Sequence, residues 1–160
     1  MKKTLIIAII LIITLSLLFC SKKENSKEFE QFVNNMIVSA NEKNLEKFME
    51  SFSLRYKDSS GTNYLYIKNI TKGLFNKFDS FETQFENLTY VKKENKESGD
   101  TIELNFDIIV TGVKNNIPSA ELIGESGHLE NITLTLRKNE FRKWKIISVE
   151  GVKDNSYFEW

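Results

Sequence analysis

Few residues in this chain have types and spacing suited to catalysis. It contains one histidine, His128, and one cysteine, Cys20, in 160 residues. A single histidine excludes a zinc site built on several histidines and acid–base chemistry by a histidine pair. The remaining proton-transfer candidates are Asp58 and Asp107, while His128 lies two residues before Glu130. These are weak catalytic candidates, and we expect no metal ion and no cofactor, since glycine-rich phosphate loops are absent from the sequence.

A structural role accounts for each of these candidates more simply than catalysis. Asp58 begins a turn, "DSSG", and can bind the turn backbone two residues on. Asp107 lies in the middle of a strand pattern, on the side opposite the apolar row. Strand alternation places His128 and Glu130 on the same face as the apolar residues of their own strand, at its loop end. The residues therefore favour a non-catalytic protein.

Cys20 ends an apolar run and is expected to be an anchor. Lys2 and Lys3 precede the run Thr4–Phe19, an order typical of a secretory signal. As a helix this run would span about 24 Å, which is short for a hydrocarbon core of about 30 Å. The sequence "LLFC" resembles a bacterial lipobox, in which the cysteine becomes a lipidated N-terminus carrying acyl groups such as palmitate. An uncleaved signal-anchor helix is the alternative.

These features divide the chain into parts with different expected roles. We predict a signal peptide over 1–19, a lipidated cysteine and tether over 20–27, a folded domain over 28–151 and a tail over 152–160. The protein would then be exported and anchored to a membrane of the bacterial cell envelope. Removing residues 1–19 leaves a net charge of about −2. Such a chain has no overall basic excess to attract nucleic acid or anionic lipid.

The N-terminal part of the folded region has the apolar spacing of helices. Residues 28–40 carry apolar side chains at intervals of three and four, and 45–52 repeat this spacing after Asn44, a possible N-cap. A short extended piece is predicted over 54–57. A third helix is predicted over 63–77, capped by Thr62. Its expected inner face is Ile67, Ile70, Leu74 and Phe78, with Tyr64 and Phe75 at the edges.

After Asp79 the apolar period becomes two, which is typical of strands. We predict a bulge near Asn87–Leu88 and a long loop over 113–127. A hairpin is predicted across Asn139–Glu140, with Trp144 and Ile146 on its buried side. The cleanest strand has an inward row of Ile102, Leu104, Phe106, Ile108 and Val110. The whole pattern is α+β, with three N-terminal helices packed on a curved antiparallel sheet.

The order of these elements resembles the nuclear transport factor 2-like superfamily, in particular its secreted bacterial members. The resemblance covers nearly all of the folded part and rests on "YKDSSG", on "LRKNEFRKWKIISV" and on four positions, Tyr56, Asp58, Gly61 and Trp144. It implies a cone in which helices and a bent sheet enclose a pocket. Members include ketosteroid isomerase-like enzymes, dehydratases, polyketide cyclases and non-enzymatic binding domains, so the fold leaves the function open.

Two functions of different class remain. The first is a membrane-anchored, non-catalytic domain that binds an apolar small molecule in the cone or a protein partner across the sheet. The second is a small isomerase- or dehydratase-like enzyme acting on a hydrophobic substrate. A homodimer through the sheet face is also possible, with Ile109 and "SYFEW" as apolar contacts. The pocket and interface candidates are Tyr56, Tyr64, Phe106, Ile109, His128, Glu130 and Trp144.

Overall fold

The structure, a computed structural model, describes residues 26–94, 99–115, 117–119 and 128–151. In these ranges the chain forms three helices and a five-stranded antiparallel sheet, so the predicted α+β class is confirmed. The predictions for the signal peptide, Cys20 and the tail 152–160 lie outside the described residues. Among the residues that are described, no helix is both long and apolar enough to cross a membrane.

The helices occupy the N-terminal half. Helix α1 covers 26–41, α2 covers Leu45–Met49 and α3 covers Tyr64–Lys77. The chain divides into two compact units inside α1, between residues 33 and 34. In the described part of the first unit, 26–33, Phe29 and Val33 are buried. Helices α2 and α3 and the whole sheet belong to the second unit.

Two helix predictions need correction. The N-cap of α3 is Asn63 and not Thr62, since the Asn63 side chain accepts a hydrogen bond from the Tyr66 N–H at 3.1 Å. Helix α2 ends at Met49, before the predicted limit of residue 52, because the chain there turns to pair with the sheet. The predicted cap Asn44 is confirmed, as its side chain accepts from Lys47 N–H.

The inner face of α3 is also rotated relative to the prediction. Its buried residues are Thr71 and Phe75, whereas the predicted inner residues Ile67, Ile70 and Leu74 are only half-buried. The fourth predicted inner residue, Phe78 at the C-cap, is buried as expected. Phe75 packs on Phe81 with ring centroids 5.5 Å apart and on Phe48 at 6.1 Å. This aromatic cluster joins α2 and α3 to the first strand. An aromatic side chain therefore decides which side of α3 faces the sheet.

The sheet has strands β1 Ser80–Lys93, β2 Thr101–Lys114, β3 Ile117–Ser119, β4 His128–Lys138 and β5 Trp144–Glu150. Their order is β1-β2-β4-β5, and β3 pairs with the end of β2. Residues 113–114 therefore belong to β2 and 117–119 to β3, so the predicted loop over 113–127 is wrong at these positions. The bulge near Asn87 is confirmed, since the β1–β2 register shifts between Glu86 and Thr89.

The inward row of the sheet is densely packed. Leu104 is opposite Leu134 and Ile102 opposite Leu136, and Ile146 of β5 continues the row. Leu104, Leu136 and Ile146 have no exposed surface. Truncating such a side chain to alanine costs about 2–5 kcal/mol, so this row is the main stabilising layer of the sheet.

The chain between α2 and α3 runs along the outer edge of β5. Ser51 carbonyl accepts from the Ile146 N–H at 2.8 Å, Ser53 N–H donates to the Ile146 carbonyl at 2.9 Å, and Lys57 N–H donates to the Ile147 carbonyl at 3.1 Å. These bonds occupy main-chain groups that a sheet edge otherwise leaves unpaired. They also carry the segment 56–58 to the end of β5.

Candidate functional site

Tyr56 and Asp58 meet at the end of β5. Tyr56 is 2% exposed, and its hydroxyl donates to Asp58 Oδ2 at 3.2 Å. The hydroxyl oxygen also accepts a hydrogen bond from the backbone of Val149. Because the preceding segment is tied along β5, the ring enters the core beside Phe52, with centroids 5.6 Å apart. Two residues singled out by sequence are thus joined in one network.

Asp58 also organises the turn that follows it. Its Oδ1 accepts from the Ser60 hydroxyl at 2.7 Å and from the Thr62 N–H at 2.9 Å. The turn closes where Gly61 N–H donates to the Asp58 carbonyl at 3.1 Å, with Gly61 at φ +88°, a conformation that glycine adopts without steric cost. The backbone N–H bound by Asp58 is therefore that of Thr62, four residues on, and not one two residues on as predicted. The residue two positions on, Ser60, donates its hydroxyl instead.

These contacts set the protonation of both side chains. Burial raises the pKa of the Tyr56 hydroxyl far above its usual value, and the negative charge of Asp58 raises it further. Burial alone would raise the pKa of Asp58, but the bonds from Ser60, Thr62 and Tyr56 together lower it. At neutral pH the pair is therefore a neutral phenol donating to a carboxylate.

The pair lies in a cavity of about 330 Å³, which we call the Tyr56 pocket. Among the described residues, its charged lining is acidic, Asp58 and Glu150, and includes no lysine, arginine or histidine. The apolar and aromatic lining consists of Phe52, Tyr56, Tyr66, Ile67, Ile70 and Val149, and the polar rim includes Ser59, Ser60, Thr62 and Gly151. A small apolar cavity with a few convergent polar groups is the usual form of a ligand site.

Asp107 lies outside this pocket and between two bulges. Its Oδ2 accepts from Asn87 Nδ2 at 2.6 Å and its Oδ1 accepts from the Asn131 N–H at 2.8 Å. Asn87 and Asn131 have φ of 57° and 56°, an uncommon conformation for residues other than glycine. Asp107 thus connects the irregular points of β1 and β4.

His128 and Glu130 are separated from the buried row by the bulge in β4. The β2–β4 register shifts so that Ile108 is opposite Leu129, and His128 pairs through its backbone with Ile109. Leu129, and not Glu130, therefore continues the inward row, so the predicted face of Glu130 is wrong. Glu130 is exposed and lines neither described cavity.

The other predicted pocket residues are dispersed. Phe106 is buried in the inward row, with its ring 6.2 Å from that of Phe85. Ile109 is half-buried opposite Gln84. Tyr64 and Trp144 are half-buried and line neither described cavity. Of the predicted pocket residues whose side chains are described, only Tyr56 lines the Tyr56 pocket.

A second cavity of about 750 Å³ lies at the other end of β5, between the 53–57 segment and the β4–β5 turn. Its charged lining residues are Arg55, Lys57, Arg137, Lys138, Lys145 and one acid, Glu140. We call it the basic groove. Total charge gave no sign of it, because composition counts charges without their positions. Two features of the sequence indicate the groove. Arg55 and Lys57 are two residues apart in one segment, and the stretch "LRKNEFRKWK" is rich in cations.

Comparison with known proteins yields relatives in structure but not in sequence. No protein-family model matches the chain, and no curated protein matches it. Bd1075 of Bdellovibrio bacteriovorus is similar with a TM-score of 0.59 and 14% identity, over 78% of this chain and 40% of that one. This chain thus spans about two fifths of the length of that neighbour.

Two further structures match over most of their own length. A Catenulispora acidiphila protein, solved in complex with S-DNPA, has a TM-score of 0.60 at 11% identity, over 80% of this chain and 92% of that one. A Nostoc punctiforme protein of unknown function with a cystatin-like fold has a TM-score of 0.54 at 12% identity, over 78% and 86%. At these identities the likeness shows that the chain has a cystatin-like, nuclear transport factor 2-like fold.

Proposed function

We propose that the chain is an exported lipoprotein, anchored through Cys20, whose domain binds a small molecule in the Tyr56 pocket without transforming it. One observation carries the binding role. The Tyr56 pocket is an apolar cavity with convergent polar groups, and it contains a carboxylate that already accepts from Ser60, Thr62 and Tyr56. A carboxylate held in this way positions a ligand but is a poor proton acceptor.

The lining indicates the chemistry of the ligand. The floor contributed by Phe52, Ile67, Ile70 and Val149 suits an apolar body. The charged groups of the described rim are two acids, so a hydrogen-bond donor or a cationic end would face Asp58 and Glu150. A cavity of about 330 Å³ lies at the small end of the range for ligand sites.

The separation of the catalytic candidates supports a non-catalytic role. Asp58 lines the Tyr56 pocket, whereas Asp107 lies outside it and bonds Asn87 and Asn131. General acid–base catalysis requires the proton acceptor within hydrogen-bond reach of the reacting atom. The neighbour solved with S-DNPA supports binding as a use of this fold. The alternative is an isomerase-like reaction in which the Tyr56 hydroxyl donates a proton. Mass spectrometry of the bound molecule distinguishes this reaction from binding alone.

The experiment is native mass spectrometry of the full chain released from the membranes of its own cells. We expect a reproducible extra mass on the folded protein that is lost on denaturation. Ile70→Phe fills the pocket and should abolish this mass, while Leu65→Phe, at an exposed site on the same helix, should retain it. A mass retained by Ile70→Phe would contradict binding in this pocket. A released molecule that is chemically altered on incubation with the protein would instead show catalysis.

The anchor is tested separately. The N-terminal peptide of the same preparation should begin at Cys20 and carry acyl chains, and Cys20→Ala should release the protein from the membrane fraction. An unmodified N-terminus that still contains residues 1–19 would identify a signal-anchor helix instead.

A further inference from the structure

The basic groove concentrates positive charge in a chain that has equal numbers of basic and acidic residues, 22 of each. Five cations and one acid line it. Within the described ranges, none of the five forms an ion pair with a carboxylate. Lys145 Nζ donates to the Glu50 carbonyl, and Lys138 Nζ lies 4.7 Å from the centre of the Trp144 ring. Their charges are therefore not neutralised by the part of the protein that is described.

Two of these cations oppose each other directly. Arg137 of β4 and Lys145 of β5 are register partners, and like charges at such positions destabilise a strand pair. In addition, Arg137 Nε is buried without a hydrogen-bond partner in the described structure, which has a desolvation cost. Neither feature stabilises the strand pair. A bound anion would relieve the repulsion between the two side chains.

Apolar side chains extend from both walls of the groove. Leu54, in the segment along β5, is 82% exposed, and Phe141, in the β4–β5 turn, is 74% exposed. An inorganic anion or a purely acidic peptide would use the cations but would leave these two side chains in water. An amphiphile with a phosphate head and hydrocarbon chains contacts both.

We propose that the basic groove docks on the phosphate headgroups of an anionic phospholipid bilayer, with Leu54 and Phe141 entering the interfacial layer. Arg55 and Lys57 approach the headgroups from one wall and Arg137 and Lys145 from the other. The expected leader at residues 1–19 directs the chain to a membrane, which makes a bilayer the nearest source of such headgroups. This site is distinct from the Tyr56 pocket and shares no lining residue with it.

The test uses the full chain in micelles of a neutral maltoside detergent. Short-chain phosphatidylglycerol and phosphatidylcholine are titrated in, with heat of binding as the readout. We expect binding of phosphatidylglycerol alone. Arg55→Gln with Lys57→Gln should weaken it on the order of twentyfold, because each cation near an anionic surface contributes about a factor of five. The matched pair Lys72→Gln with Lys114→Gln removes the same charge from exposed sites elsewhere and should leave the affinity unchanged.

Further measurements distinguish a lipid headgroup from an acidic protein or a soluble phosphate as the bound anion. Phe141→Ser should weaken phosphatidylglycerol binding and leave any binding of inorganic phosphate unaltered. Equal affinity for both lipids, or insensitivity to the Arg55 and Lys57 substitutions, would overturn the proposal. Tighter binding of oligoglutamate than of phosphatidylglycerol would replace the bilayer with an acidic protein partner. Phosphate binding as tight as that of the lipid would make the groove a site for a soluble anion.

Discussion

The Asp107 carboxylate accepts the backbone N–H of Asn131 at 2.8 Å, at the residue where β4 leaves regular register with β2. The other carboxylate oxygen accepts from Asn87, at the corresponding bulge of β1. Asp107, a catalytic candidate by sequence, thus stabilises the bulges of β1 and β4, the two strands on either side of β2. Bulges in antiparallel sheets bend the strand and increase its twist, so this contact bears on the form of the sheet.

Replacing Asp107 with alanine should destabilise the domain without affecting the Tyr56 pocket. The substitution removes two hydrogen bonds to a charged acceptor, and we expect a loss of about 2–4 kcal/mol in the free energy of unfolding. Urea denaturation measures it. Glu103→Ala on the same strand removes only an ion pair with Lys93 on the surface, and should cost less than about 1 kcal/mol. Equal losses for the two variants would contradict the role given to Asp107.

Gly151 should not tolerate a side chain. A Cβ there would lie 2.5 Å from the Asn131 carbonyl oxygen, and φ is +91°. We expect Gly151→Ala to lower the free energy of unfolding by about 1–3 kcal/mol through backbone strain and displacement of the bulge. A Cβ at Gly73 in α3 would have no neighbouring atom within 4 Å, so Gly73→Ala should instead stabilise by about 0.4–1 kcal/mol. Thermal melts of both variants check this contrast.

Stability should fall at alkaline pH because of Tyr56. The pKa of its hydroxyl is raised in the folded state, by burial first and by Asp58 second, so the folded state holds this proton more tightly than the unfolded state. The resulting contribution is complete below the unfolded value of about 10 and is lost as the pH rises above it. Tyr56→Phe should remove this dependence. Tyr90→Phe, at a half-buried tyrosine of β1, should leave it intact.

Protonation of Asp58 should lower the stability of the domain at acid pH. Although burial acts to raise its pKa, the bonds from Ser60, Thr62 and Tyr56 lower it in the folded state. Its contribution is therefore complete above the unfolded value of about 3.9 and is lost as the pH falls through the lower folded value. Denaturation of Asp58→Asn as a function of pH should show a flatter acid limb. An unchanged acid limb would mean that the carboxylate has no preferential stabilisation in the fold.

Periodicity predicted the sheet better than it predicted the site. The alternation around Leu104 and the irregularity at Asn87 are local patterns, and both predictions are confirmed. The bulge at Asn131 was missed, because the strand alternates cleanly on one side of it and the sequence has no glycine there. That single insertion reverses the strand parity before it, so the predicted inward face of Glu130 is wrong.

The helices show a similar limit. Apolar spacing placed α3 within one residue at its start, but Thr62 and Asn63 are both good N-caps by type. The Thr62 hydroxyl is hydrogen-bonded to that of Ser60 at 2.8 Å, and its N–H donates to Asp58, so Thr62 belongs to the preceding turn and Asn63 caps the helix. The Tyr56 pocket and the basic groove each combine residues from separate segments. These groupings follow from the pairing of the 51–57 segment with β5. That pairing is a long-range contact, which local residue patterns do not predict.

That pairing along β5 has a consequence for self-association. With Ser51, Ser53 and Lys57 bonded to its outer side, β5 offers few free main-chain groups to another strand. In the described sheet, β1 forms the opposite boundary and pairs only with β2. A filament built by strand addition needs two open edges on every copy. Among the described strands, β1 offers the long open edge, so the bonds along β5 favour a closed pair joined β1 to β1 over a growing filament.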